Sequence, residues 1–424
     1  MVRRRRNLER SPGVRRPVPE LAVLSLHSSP LAQPGTGDSG GMNVYVRELA
    51  SSLAQAGVGV TVYVRRWAHH LPREVAVEPG FRVVHVDAGS VDLPKEQLPE
   101  TVDAFTEGLV EELRLRPVDI VHANYWLSGV VGHRVKHRLD LPLVSTFHTL
   151  ARVKAETGDP EPDRRIDAEA EVIGCSDVLL ANSAEEHSQL QRLYGADPTR
   201  IEIVPPGVEH AFFSPGHKAG ARQALGLSPS APLLLFVGRI QPLKGLSVAV
   251  GALAELVAGG HPDAELVVVG GPSGADGVAE ARRVRSLAAS LGVAGQIRWV
   301  DPQPHHLLSS WYRAADVVLV PSRSESFGLV ALEAAACGAP VVAAAVGGLR
   351  TLVDHGRTGL LVDRRDASAF AEAAGRILGD PVLAASLSTA AAERARGYTW
   401  STAAARLRRI YVDLATRSRV DCAA

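Results

Sequence analysis

The chain has 424 residues and a formal net charge of zero, with 46% hydrophobic and 22% charged residues. That length exceeds one typical core and predicts two domains, while the neutral balance gives no electrostatic ground for a nucleic-acid partner. Cys175, Cys337 and Cys422 stand far apart without metal-ligand spacing, a pattern of a reducing compartment and not of a disulfide scaffold.

The chain opens on Arg3, Arg4, Arg5 and Arg6, followed by Arg10, Arg15 and Arg16. No apolar segment of signal-peptide type follows directly, so residues 1–18 read as a disordered, solvated basic tail. No run reaches membrane-spanning length, and the expectation is a cytoplasmic protein with no membrane partner. Short β-branched runs then alternate with helical patterns, the signature of parallel α/β layers. Strands are expected at 21–26, 58–64, 81–86, 119–123, 142–146, 178–181 and 201–204, with helices at about 41–56 and 100–115. Proline and glycine cluster at Pro205-Pro206-Gly207 and around Pro215-Gly216, which places an interdomain linker at 206–220. The alternation restarts with strands at 233–237, 265–269, 297–300, 317–320, 341–345 and 359–362. Helices are expected at about 247–258, 278–291, 307–314, 330–336 and 367–378. The fold class is α/β, with domains at 19–205 and 221–398, and a closing helix at 399–424 that is free to cross back onto the first domain.

Ligands of open parallel sheets bind beyond the carboxyl ends of the strands, so the loops after the strands carry the chemistry. After the first strand comes His27, then a long loop from Gln33-Pro34 through Asp38-Ser39-Gly40-Gly41-Met42-Asn43. Its glycines lead into a helix whose free N–H groups favour an anion, but they lie too far down the loop for a dinucleotide fingerprint. The corresponding loop of the second half contains Gly238-Arg239 and Lys244, two cations before a helix, as a diphosphate requires. Glu325 and Glu333 flank a later helix start. They suit hydrogen bonding to sugar hydroxyls, although Glu325 reads equally well as a capping carboxylate.

Together these segments resemble the retaining, nucleotide-sugar-dependent glycosyltransferases of the GT-B fold, in the group that includes sucrose-phosphate synthase: two Rossmann-like parallel-sheet domains facing a cleft. Glu325 and Glu333 match that group's E-x7-E motif. The resemblance implies that Arg239 and Lys244 hold the donor diphosphate, Glu325 the donor sugar and Glu333 the ribose, with Gln33, Pro34, Gly41 and Gln303 also at the donor and His148 near its sugar. The run from His27 to Val46 is similar, more narrowly, to the mycothiol-pathway transferases that move N-acetylglucosamine from its UDP conjugate to 1D-myo-inositol 3-phosphate. Similarity continues around Lys95, Tyr125, His148 and Arg239. It implies acceptor contacts from His27, Asp38, Ser39, Gly40, Gly41, Met42, Asn43, Lys95, Tyr125, Thr149 and Arg164. It also implies that no cofactor is needed for the chemistry, and allows a structural magnesium ion on the backbone of Tyr312, Arg313 and Ala315 and a homodimer. Three positions depart from that family: the segment Gly89 to Pro94, Asn124 in place of a common histidine, and Ala339 in place of a frequent threonine. The first two leave a different phosphorylated or aglycone acceptor open, and the third bears on the magnesium ion. A nucleotide-sugar epimerase or non-catalytic binder would share the scaffold, but neither needs a second phosphate site.

Overall fold

The computed structural model describes residues 19–422, except 36, 38, 157, 160, 275 and 415–418. The basic tail and Asp38 lie outside the described residues.

The first half contains strands β1 (Glu20–Leu24), β2 (Gly59–Arg65), β3 (Glu74–Glu78), β4 (Phe81–Val86), β5 (Ile120–Asn124), β6 (Leu143–Thr146), β7 (Val178–Ala181) and β8 (Ile201–Ile203). Its helices are α1 (Gly41–Gln55), α2 (Val102–Leu115), α3 (Trp126–Leu139), α4 (Ala151–Glu156), α5 (Asp163–Cys175) and α6 (Ala184–Tyr194). The strands form one sheet in the order β3-β4-β2-β1-β5-β6-β7-β8, parallel except for β3. The second half has a six-stranded sheet, β9 (Leu233–Val237), β10 (Glu265–Val269), β11 (Ile297–Val300), β12 (Val317–Val320), β13 (Val341–Ala344) and β14 (Leu360–Val362), in the order β11-β10-β9-β12-β13-β14. Around it lie α7 (Lys218–Leu225), α8 (Leu246–Ala258), α9 (Gly277–Ser290), α10 (Leu308–Ala314), α11 (Leu329–Ala336), α12 (Leu349–Leu352), α13 (Ala367–Gly379) and α14 (Pro381–Ala395).

Central strands such as β5 and β12 are buried along their whole length, because helices cover both faces of a parallel sheet. One face of the first sheet packs against α2, α3 and α5 through residues such as Phe105, Leu109, Val131 and Ile173. The other face packs against α1 and against α15 (Trp400–Leu414) at the far end of the chain. Trp400, Leu407 and Tyr411 lie in the same apolar cluster as Leu49, Val62 and Ile120. Each leucine-sized side chain buried this way contributes about 1.5–3 kcal/mol. The polar end of Tyr411 is also satisfied, since its hydroxyl lies 2.9 Å from His122 Nδ1 on β5.

Three features differ from the sequence reading. Strand β3 was not anticipated; it is a half-buried edge strand, antiparallel to β4, whose Glu-Val-Ala-Val-Glu run is too short and polar to stand out. Helix α2 begins at Val102 because a 3₁₀ turn, Lys95–Thr101, occupies the segment before it. The cysteines are not all apart: Cys175 and Cys422, 247 positions from each other, meet sulfur to sulfur, while Cys337 is buried alone.

Candidate active site

The order of each sheet reverses beside its first strand: β1 lies between β2 and β5, and β9 between β10 and β12. These switch points are where an open α/β sheet forms a crevice at its carboxyl edge. The loops leaving β1 and β5 in the first domain face those leaving β9 and β12 in the second. The halves touch across the crevice: Gln33 Nε2 donates to the Pro302 carbonyl at 3.0 Å, and the Ser326 hydroxyl donates to the His148 carbonyl.

A cavity of about 280 Å³ lies between the domains, lined by Pro34, Gly41, His148, Arg239, Lys244, Gln303, Glu325 and Glu333 among others. Gly41 opens α1, so the free N–H groups of the helix start face into it. The turn before α1 is fixed by Asn43, whose Oδ1 accepts from Gly40 N at 2.8 Å and whose amide donates to the Ser29 carbonyl at 2.6 Å. Asn43 thus shapes the loop through its own hydrogen bonds. Arg239 reaches across the crevice; a Cβ on Gly40 would lie 3.0 Å from its Nε. Lys244 is seated by Gly245 (φ +71°), where any Cβ would run into the Pro321 carbonyl. Its ammonium donates to Glu325 Oε2 at 2.7 Å. The cation and carboxylate expected at the diphosphate and sugar are therefore held against each other.

Glu333 is buried on α11. One oxygen lies 2.7 Å from His305 Nε2 and the other accepts from the Tyr312 hydroxyl at 2.8 Å. Burial opposes charge on His305, but the charge and hydrogen bond of Glu333 outweigh it and hold its pKa above the ordinary histidine value. Each carboxylate oxygen retains an acceptor site for a ligand hydroxyl. Gln303 lines the cavity while donating to the Asp301 carbonyl at 2.9 Å.

Near Tyr312, Arg313 and Ala315, the Tyr312 carbonyl already accepts from Ala315 N. Arg313 spends its guanidinium on the carbonyls of Ser214 and Phe212. The adjacent Asp316 is paired with Lys218 and Arg222. Carbonyl and water oxygens suit magnesium, but the Tyr312 carbonyl is already engaged and the Asp316 carboxylate is taken up by Lys218 and Arg222, so the segment offers the ion few oxygens toward its octahedron. No step below passes through a metal.

A second cavity of about 630 Å³ adjoins the first and shares Gly40, Gly41, Met42, His148, Thr149 and Arg239 with it. His27, Asn43, Lys95, Tyr125 and Arg164 also line it. Ser39 is buried behind the loop, its carbonyl accepting from Gly35 N at 2.8 Å. Tyr125 (φ 77°) and His148 (φ 62°) follow β5 and β6 in left-handed backbone; strain of that kind gathers at ligand sites and switches. His27 packs on Tyr125 with ring centroids 4.2 Å apart. Burial, reinforced by the charge of Lys95, lowers its pKa well below the usual value and keeps it neutral. His148 is half-buried with its ring edge-on to Tyr45, and its Nε2 lies 2.9 Å from Asn124 Oδ1. Burial brings its pKa down to about 3, so it serves as a neutral hydrogen-bonding ring and not as a cation.

Two residues beyond those read from the sequence belong here. Arg165, next to the predicted Arg164, is buried: it donates to Glu169 Oε1 at 2.8 Å and to Thr149 Oγ1 at 3.0 Å, and lies over the Tyr125 ring. Lys154 lines both cavities and is paired with Glu161 and Asp159. Arg164 itself is more exposed, reaching the Glu96 carbonyl at 3.4 Å. The only sequence signal for Arg165 was its charge beside the motif residue.

Two doubly wound domains that close on a crevice lined by glycine N–H groups, paired cations and carboxylates have the GT-B architecture. Residues 39–212 match the family model "Glycosyltransferase Family 4", and residues 218–394 match "Glycosyl transferases group 1". A D-inositol 3-phosphate glycosyltransferase of Catenulispora acidiphila is 48% identical over 402 residues, 92% of this chain and 94% of that protein. The protein of that name from Actinosynnema mirum is 49% identical over 391 residues, 90% of this chain and 94% of the relative. Among solved structures, sucrose-phosphate synthase from Thermosynechococcus elongatus superposes with a TM-score of 0.88 at 33% identity, covering 93% of this chain and 99% of that one. HepE of Anabaena, crystallised with UDP and glucose, shares the fold at a TM-score of 0.74 and 19% identity, with 93% and 100% coverage. The chain belongs to the GT-B glycosyltransferases, in the family of the proteins named D-inositol 3-phosphate glycosyltransferase.

Proposed function

We propose that the protein transfers N-acetylglucosamine from UDP-N-acetylglucosamine to 1D-myo-inositol 3-phosphate with retention of configuration, an early step of mycothiol biosynthesis in the cytoplasm. The observation that carries this reading is the second cavity, beside the donor cavity, whose lining includes Lys95, Lys154, Arg164 and Arg165 together with Tyr125 and Thr149. Cations with hydroxyl donors suit a phosphorylated polyol, and the relatives' name points to the same acceptor. A site built only to bind or epimerise a nucleotide sugar has no use for it.

Bound donor would place its diphosphate among the N–H groups opening α1, Arg239 and Lys244. For Lys244 to reach a phosphate it turns from Glu325, which then accepts from sugar hydroxyls. Glu333 is suited to the ribose, oriented by His305 and Tyr312. As the glycosidic bond lengthens, negative charge grows on the leaving phosphate and positive charge on the sugar. Fixed cations and N–H groups stabilise the leaving group more in that transition state than in the ground state. The acceptor hydroxyl attacks from the face that the phosphate vacates, and a departing phosphate oxygen takes its proton. Neutral His148 positions the sugar as a hydrogen-bonding partner.

The test is UDP release from UDP-N-acetylglucosamine with inositol, both enantiomers of inositol 3-phosphate, and sugar phosphates as acceptors. Turnover should require one inositol phosphate enantiomer and yield the α-linked product. Turnover with a sugar phosphate alone would reject the acceptor, and UDP-sugar consumption without an acceptor would reject transfer.

A further inference from the structure

On the side of the first domain away from the crevice, helices α3 and α5 end beside the C-terminal tail. His133 and His137 lie one turn apart on α3, Cys175 closes α5, and Cys422 comes from the tail. Their four ligand atoms all lie within 4.8 Å of one another. We propose that these residues form a structural zinc site that pins the C-terminal tail to the first domain.

His137 Nε2 lies 3.1 Å from His133 Nε2, 3.4 Å from Cys175 Sγ and 3.3 Å from Cys422 Sγ. One ring N–H cannot serve three partners, whereas one cation satisfies all four groups. Zinc–sulfur bonds of about 2.3 Å and zinc–nitrogen bonds of about 2.0–2.1 Å in a tetrahedron put neighbouring ligand atoms roughly 3.3–3.8 Å apart. The separations around His137 fall close to that range. Two imidazoles and two thiolates are a donor set for zinc in preference to magnesium or calcium. The site requires the dithiol form of the Cys175–Cys422 pair, which is joined in this structure; binding to that form releases two thiol protons and leaves a neutral centre, which suits burial of His133 and Cys175.

The surroundings are organised in the same sense. His133 Nδ1 lies 3.2 Å from a Glu171 carboxylate oxygen, which fixes the tautomer that leaves Nε2 free to bind metal. The tail is tied on either side: Arg419 pairs with Asp140 at the end of α3, and Val420 N donates to Asp177 Oδ1 at 2.7 Å. Asp177 also holds Lys136, whose ammonium donates to the Cys175 carbonyl at 2.8 Å. His133 and His137 stand four residues apart on one helix, but the cysteines that complete the cluster are far from each other in the chain, with Cys422 247 positions from Cys175.

The test uses the full chain purified under reducing conditions and loaded with zinc chloride, then desalted against a weak chelator. Elemental analysis should find one zinc per chain. Cobalt(II) chloride in its place should give a thiolate-to-cobalt charge-transfer band and the intense visible bands of tetrahedral coordination. Cys422→Ser, in the tail and outside the core, should lose both signals, as should His137→Gln, while Cys337→Ser should keep them. Less than about 0.1 equivalent of zinc with no cobalt spectrum would overturn the proposal. So would thiol trapping that finds Cys175 and Cys422 already disulfide-linked and unable to take metal after reduction.

Discussion

Replacing Lys244 with methionine separates what this side chain does for the fold from what it does for transfer. In the free protein its ammonium sits 2.7 Å from Glu325, and the two side chains are 23% and 20% exposed. A pair this open to water contributes at most about 1 kcal/mol, so the melting temperature should fall by no more than about 2–4 °C. The transition state is another matter. Removing one preorganised donor from a developing oxyanion costs about 2.7–4 kcal/mol, or a factor of 10²–10³ in rate. Initial rates of UDP release should therefore drop a hundredfold or more, and calorimetry should show weaker UDP binding in the same samples. Lys244→Arg, which keeps charge but changes its geometry, should recover part of the loss. A fall in kcat/KM of less than about tenfold, equivalent to 1.4 kcal/mol, would refute the assignment of Lys244 to the leaving phosphate.

Arg165→Met leaves Glu169 and Glu161 without their buried partner, so urea unfolding should register a loss of about 3–5 kcal/mol; two-substrate kinetics should show a larger rise in KM for acceptor than for donor. Gly40→Ala puts a methyl 3.0 Å from Arg239 Nε, and the guanidinium must yield; donor KM should rise several-fold with melting unchanged. Burial raises the Glu186 carboxyl, partly offset by its hydrogen bonds from Asn182, to about 7. The folded state then binds this proton more tightly than the unfolded chain. Its contribution to stability should decline as pH rises from the ordinary carboxyl range to about 7, and level off above, a span of about 3 kcal/mol at most. Glu186→Gln should flatten that segment when urea midpoints at pH 5 and pH 8 are compared. Tyr411→Phe removes the partner of His122 Nδ1 and should cost about 1–3 kcal/mol without altering donor KM.

The parallel layers were legible because a strand covered on both faces must be apolar throughout, and runs such as 233–237 and 317–320 have few other readings. The crevice loops were legible because phosphates and sugar hydroxyls demand glycine, cations and carboxylates after such strands. What escaped depends on three-dimensional neighbours. Arg164 and Arg165 are equivalent as letters, yet adjacent helical residues point about 100° apart; one reaches toward solvent while the other is buried against Glu169 and Thr149. Glu333 could be read as a ribose ligand, but not that His305 and Tyr312 would orient it from elsewhere in the chain. The edge strand β3 owes its form to β4, and its own sequence carries little of that instruction.

Helix α15 supplies Trp400, Leu407 and Tyr411 to the apolar layer beneath the first sheet. During synthesis, the last strand of that sheet leaves the ribosome roughly 10–40 s before this helix does, at ordinary elongation rates. Throughout that interval the nascent first domain has one face unfinished, with Val60, Val62 and Ile120 lacking part of their cover. The second domain must be made, and its chain must turn back, before the first can complete its core. A nascent chain of this shape invites chaperone contact at one defined surface, and a chain that stopped before Trp400 would leave that surface of the first domain bare.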